Sequence, residues 1–130
     1  MLVAPVIPFL TDHAIEPVLE AAWSAGARSA GYVLLRLPWE VKDLFRDWLK
    51  THYPLKAAHV MSRVREMRNG RDNDPGFGSR MRGCGEFAEL LARRFEIACE
   101  RLGYNRGRRN RALDTTRYRA PALNGQLALF

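Results

Sequence analysis

The sequence predicts an α/β fold: a strand–helix–strand–helix unit, then a helical extension, then a basic tail. Three observations carry that reading. Two short apolar runs, "LVAPVIPFL" and "YVLL", are each followed by apolar residues at helical spacing. The segments between residues 53 and 103 keep only the helical period. From Tyr104 onward the apolar period is lost and arginine dominates. With 130 residues, 47% hydrophobic and 27% charged, the chain has the composition of one globular domain and enough length to bury a core.

In order, the first apolar run ends at Thr11 and Asp12, both suited to cap a helix. Ile15, Val18, Leu19 and Ala22 then mark one helical face, and Gly26 stops it. Pro17 is tolerated only in a first turn, which sets the helix start near it. Tyr32 to Leu35 form a continuous apolar run suited to a strand covered on both faces. Val41, Leu44, Phe45, Trp48 and Leu49 mark a second amphipathic helix that ends before Pro54. Two parallel strands with helical crossovers follow from this order, and two strands alone leave both sheet edges open. In the extension, Ala57, Val60, Met61 and Val64 line one helix face. Phe87, Leu90, Leu91, Phe95, Ala98 and Leu102 line another, which Gly103 terminates. Between them, "NGRDNDPGFGSRMRGCG" is too long and too glycine-rich for a plain connector. The expected division is therefore 1–52, 53–103 and a disordered Arg-rich tail over 104–130.

Charge is one-sided. The net charge is +7, but residues 1–60 hold six basic and six acidic side chains, so the excess lies entirely after residue 60. A basic half without a basic amphipathic helix points to a polyanion, nucleic acid before membrane. The opening "MLVAPVIPFL" has no basic n-region or cleavage site and two prolines interrupt it, so it reads neither as signal peptide nor as membrane span. A cytoplasmic location is expected. Cys84 and Cys99 are too few for a disulfide framework and have no metal-site spacing, so no metal ligands are assigned. His13, His52 and His59 lack a partner at any catalytic spacing and are expected at the surface.

Several stretches in order, "PVIPFLTDH", "AGARSAGYVLLRLP", "FGSRMRG" and "FEIACERLG", resemble the C-terminal portion of bacterial radical S-adenosylmethionine proteins of the DNA repair photolyase-like group, relatives of spore photoproduct lyase. The resemblance spans about residues 2–105. It implies that the two strands are the last of a partial (β/α)6 barrel, with the cofactor at their C-terminal ends. The family's loose Gly-x-Ile-x-Gly-x-x-Glu pattern falls on Pro5, Ile7, Phe9 and Asp12. Ile7 matches, Asp12 is a shortened acid, and Phe9 replaces a glycine. Ile7 and Asp12 are thus implied cofactor contacts, as is Arg36 at the end of the second strand. The family binds S-adenosylmethionine and an iron–sulfur cluster through a Cys-x-x-x-Cys-x-x-Cys motif, which this sequence lacks. The expectation is a piece of such an enzyme, inactive and without cofactor by itself, or alternatively a non-catalytic nucleic-acid and clamp-binding module.

Two arginine sets are expected to hold nucleic acid. Arg80 and Arg82, in "FGSRMRG", offer guanidinium forks for phosphate beside glycine amides. Arg106, Arg108, Arg109 and Arg111 offer mobile charge that binds by counterion release. Finally, "QLALF" at the C-terminus resembles the Gln-Leu-x-Leu-Phe peptide with which bacterial polymerases and repair proteins bind the sliding clamp. It would use Gln126, Leu127, Leu129 and Phe130. The uncovered strand faces add an expectation of self-association.

Overall fold

The computed structural model describes residues 1–106 and Thr116. It has the mixed α/β order expected: β1 (Leu2–Val6), a 3-10 turn (Asp12–Ala14), α1 (Ile15–Ser24), β2 (Gly31–Leu34), α2 (Val41–His52), α3 (Pro54–Glu66) and α4 (Glu86–Leu102). Pro17 is the third residue of α1, in the first turn, where the missing amide hydrogen removes no helical bond. Pro54 opens α3 for the same reason. Gly103, at φ 84°, closes α4 in the left-handed conformation that glycine adopts without steric cost.

The strands pair in parallel, Leu2 with Gly31, Val3 with Tyr32 and Val6 with Leu34. The register slips between Val3 and Val6, where Pro5 has no amide hydrogen to give the ladder. β2 alternates half-buried and buried residues, so it is not covered equally on both faces as the apolar run suggests. Tyr32 and Leu34 join Val6, Ile15, Leu19, Leu91, Phe95 and Ala98 in a core between the sheet, α1 and α4. Beyond the strand ends, Ile7 and Leu37 meet Leu49, Val60, Met61 and Val64 in a second core with α2 and α3. These two clusters fix where the strand ends lie relative to the helices.

Several positions of the expected apolar faces look to solvent: Val18 of α1, Leu90 of α4, and Val41, Leu44 and Trp48 of α2. Leu90 is 52% exposed and Val18 also lies outside, because the buried stripe of α4 runs through Ala88, Leu91, Phe95, Ala98 and Cys99 and that of α1 through Ile15 and Leu19. The expected start of the tail is also too early. Tyr104 is buried, and its hydroxyl donates to the Leu19 carbonyl oxygen at 2.8 Å. Asn105 accepts from the Ala30 amide at 3.0 Å and donates back to the Ala30 carbonyl at 3.1 Å. A polar side chain thus completes the backbone bonding just ahead of β2, a long-range pairing that local sequence cannot announce.

The edges differ from expectation too. The Leu34 amide donates to the Met81 carbonyl at 3.0 Å, so the loop before α4 closes the free edge of β2 near its end. The other face keeps Pro5, Val41, Leu44 and Trp48 exposed around a shallow hollow of about 400 Å³ that Ile7, Leu35 and Phe45 also line. No helix among the described residues is long and apolar enough to cross a membrane.

Ion pairs hold α1 to α4. Arg94 bonds both carboxylate oxygens of Glu16, at 3.0 and 2.8 Å, and Arg101 pairs with Glu20. Burial by itself raises the Glu16 carboxyl, but the hydrogen bonds and charge of Arg94 outweigh it and hold the group below its ordinary value. A carboxyl depressed in the folded state contributes stability above its unfolded pKa, and that contribution is lost as pH falls through the folded one. The melting temperature should therefore fall as the pH drops below roughly 4.3, the ordinary glutamate value. In Glu16→Gln it should start lower at pH 7 and depend less on pH in acid, as calorimetry at successive pH values will show.

Candidate nucleic-acid interface

The segment between α3 and α4 is an ordered loop built around one side chain, Arg68. Arg68 is 1% exposed. Its Nη1 donates to the carbonyl oxygens of Ser79 and Arg80, at 3.1 and 2.8 Å, and its Nη2 to those of Leu35 and Leu34, at 2.8 and 3.5 Å. The guanidinium therefore joins the end of β2 to the loop that closes its edge. Residues 60, 64 and 68 are four apart, so Arg68 continues the buried face of α3 just past the helix end. An arginine in an apolar register is the sequence signal that could have found it, and the periodicity of α3 alone stops at Val64.

The rest of the loop is tied down locally. Asp72 takes ion pairs from Arg46 of α2 and Arg65 of α3. Asn73 accepts the Leu37 amide at 3.3 Å, which couples this loop to the one after β2. Asp74 accepts from Ser79 and from the Gly76 amide, and these bonds hold its carboxyl below the usual range. Gly83, at φ 72°, lies so close to Leu34 and Met67 that a Cβ would stand 2.9 Å from a Leu34 methyl carbon and 3.0 Å from the Met67 carbonyl oxygen. Only glycine lets the loop pass the strand at that distance. The glycine amides, expected to face a ligand, do not all do so. Gly76 donates to Asp74 and Gly83 to the Ser79 carbonyl at 2.7 Å, so these two are already used.

What remains open is positive charge. Burial lowers the Arg68 pKa; Asp74 opposes that and Arg36 adds to it. A guanidinium starts so high that it stays protonated at neutral pH. No carboxylate among the described residues lies within ion-pair distance of it. Arg36 and Arg80 flank it, and each has a buried Nε–H with no hydrogen-bond partner. A buried donor left unmade costs about 1–3 kcal/mol. Neither Arg36 nor Arg80 has an ion pair among the described residues, so positive charge gathers around Arg68 without a counter-ion.

The other expected residues fall elsewhere. Arg82 sits over the Tyr32 ring, 5.2 Å from its centroid, beside a hollow that Glu96 and Glu100 also line. Arg106 is exposed at the end of the described chain. Arg108, Arg109, Arg111, Gln126, Leu127, Leu129 and Phe130 lie outside the described residues. Asp12 is 4.0 Å from Arg94, and its carbonyl accepts from the same guanidinium at 3.2 Å. The Ile7 amide donates to the Thr11 hydroxyl, and its carbonyl accepts the amides of residues 10 to 12. Ile7 and Asp12 are thus committed to the turn after β1 and to α4. Phe9, where the family pattern has glycine, does adopt a glycine-like φ of 60° and stacks on His59 at 4.2 Å. All three histidines are exposed. Cys84 bonds to Asn69 and Cys99 is buried in the first core. These residues do not fit an iron–sulfur cluster or a cofactor cradle.

No protein-family model matches the chain, and no curated protein or solved structure matches it either. The arginine cluster itself is the guide to function.

Arg68→Met keeps the length of the side chain and removes its donors. It should lower stability by roughly 2–4 kcal/mol, since four carbonyl oxygens lose a bond at once. In hydrogen exchange, the Leu34 amide and the amides of residues 80 to 83 should lose protection before those of α1. Unchanged protection there would mean that Arg68 does not hold the loop to the strand.

Proposed function

We propose that this chain is a nucleic-acid-binding module whose phosphate site is formed by Arg36, Arg68 and Arg80 at the C-terminal ends of its two parallel strands. One observation carries the reading: a buried guanidinium bonded only to carbonyls, flanked by two arginines with unmet buried donors. By contrast, Arg46, Arg65, Arg94 and Arg101 are paired with acids and have no such need. Phosphate is the anion best matched to guanidinium forks carried on two neighbouring loops that Arg68 joins. The arginine-rich stretch beyond Arg106 adds charge that binds without sequence recognition.

In this proposal the module is the C-terminal part of a radical S-adenosylmethionine enzyme acting on DNA, of the photolyase-like repair group that its sequence resembles. The chain's own residues hold the nucleic acid. The C-terminal peptide, with Leu129 and Phe130 as apolar anchors, carries the module to the sliding clamp. The bacterial cytoplasm is the compartment this implies.

Fluorescence anisotropy with labelled DNA over a salt series tests the phosphate site. Arg36→Gln with Arg80→Gln should weaken binding about tenfold and reduce the salt slope by about 1 to 2, roughly one for each phosphate that is no longer neutralised. Removing residues 107–130, which spares Tyr104 and Asn105, should reduce the slope further. Binding that is indifferent to both changes would refute the proposal. Calorimetry with the clamp supplies the second arm: Leu129→Ala with Phe130→Ala should abolish binding and leave melting unaltered.

A further inference from the structure

Two aromatic side chains stand out in water beside this cluster. Trp39 is 85% exposed and Phe77 is 86% exposed, the largest exposures among the aromatic residues described. Each lies on one of the two loops that carry the arginines. Trp39 is three residues after Arg36, and Phe77 is three before Arg80. The Leu37 amide bond to Asn73 ties those loops together between them. Trp39 also has a φ of 47°, a left-handed conformation that bulky side chains rarely adopt. The loop thus holds an indole outward against both its backbone preference and its hydrophobicity. Phe77 has the Arg80 guanidinium over its ring, 4.4 Å from the centroid, so the cation that faces phosphate is also stacked on an exposed aromatic.

We infer that Trp39 and Phe77 are stacking platforms for unpaired bases, so that the ligand of the arginine cluster is single-stranded nucleic acid and not duplex. This rests on the phosphate site proposed above. Arginines that track a backbone, with aromatic faces beside them, are what a single strand needs. Duplex bases already stack on one another and offer these rings no free face. The loop tips have no base-reading element of the kind that enters a major groove, such as a helix or β-ribbon. The positive charge favours a nucleic-acid strand over an apolar protein segment as the occupant.

The full chain, its Trp39→Ala, Phe77→Ala and Trp39→Phe variants, and the double arginine variant are titrated by anisotropy against oligo-dT, oligo-rU and a duplex of equal phosphate number. The wild type should bind the single strands at least tenfold more tightly than the duplex. Trp39→Ala and Phe77→Ala should each lose about tenfold on single strands with the salt slope and melting temperature unchanged, whereas the arginine variant reduces the slope. Trp39→Phe should retain most of the affinity, and most of the fluorescence quenching expected when oligo-dT is added to wild type should be lost in it. A preference for dT or rU identifies the natural strand, and equal affinity leaves stacking supported for both. Equal binding of duplex and single strand, or aromatic variants that bind as wild type while the arginine variant does not, overturns the stacking inference and leaves the phosphate site standing. If arginine and aromatic variants alike bind as wild type, both readings fall.

Discussion

The four carbonyl bonds of Arg68 hold the strand ends in place. β2 has a partner on one side only, and on the other its terminal amide and carbonyls need bonds that a third strand would normally supply. A loop takes that position through a single backbone bond from Leu34 to Met81. Arg68 supplies the rest, because only a guanidinium has enough donors in one plane to reach carbonyls of the strand and the loop together. Gly83 lets the loop come close enough. The carbonyl oxygens solvate the charge but do not neutralise it, and the open positive site is a consequence of how the edge is closed.

Sorting the arginines by partner separates structure from function. Arg94 and Arg101 tie α1 to α4 through Glu16 and Glu20, while Arg46 and Arg65 converge on Asp72 and fix the root of the loop. Their charges are balanced where they stand. Arg36 and Arg80 have no such acid, and each keeps a buried donor unused. The net charge of +7 is therefore less informative than the places where positive charge lacks a counterpart. One contributor, Arg36, comes from the half of the chain that is neutral overall, so a count of charges by segment could not group it with Arg80.

The strand–helix order is legible because it rests on local periodicity. Both strands and α1 to α4 lie where apolar spacing and the Pro and Gly signals put them. Leu90 is not, because it sits beside the buried stripe of α4, and spacing alone does not decide which adjacent residue faces the core. Tyr104 and Asn105 are hidden from a local reading because their bonds run to Leu19 and Ala30, far away in sequence. The loop before α4 stands out by its glycines, yet their amides are not what makes it a candidate site. Two of those amides are used internally, and the unpartnered donors belong to arginines on the two loops that Arg68 joins. Nothing in "REMRNG" beyond the spacing from Val60 and Val64 suggests a buried charge.

If phosphate binds at this cluster, the Nε–H groups of Arg36 and Arg80, which lack partners in the fold, are donors that binding would engage. Nitrogen-15 NMR of the arginine Nε–H groups tests it directly, because each such proton reports its own hydrogen bond. On titration with a short oligonucleotide, the Arg36 and Arg80 signals should move downfield together and saturate at one stoichiometry, while those of Arg94 and Arg65, already bonded to carboxylates, stay in place. If Arg36 and Arg80 stay still while the oligonucleotide is bound, the cluster is not the phosphate site and the account is wrong.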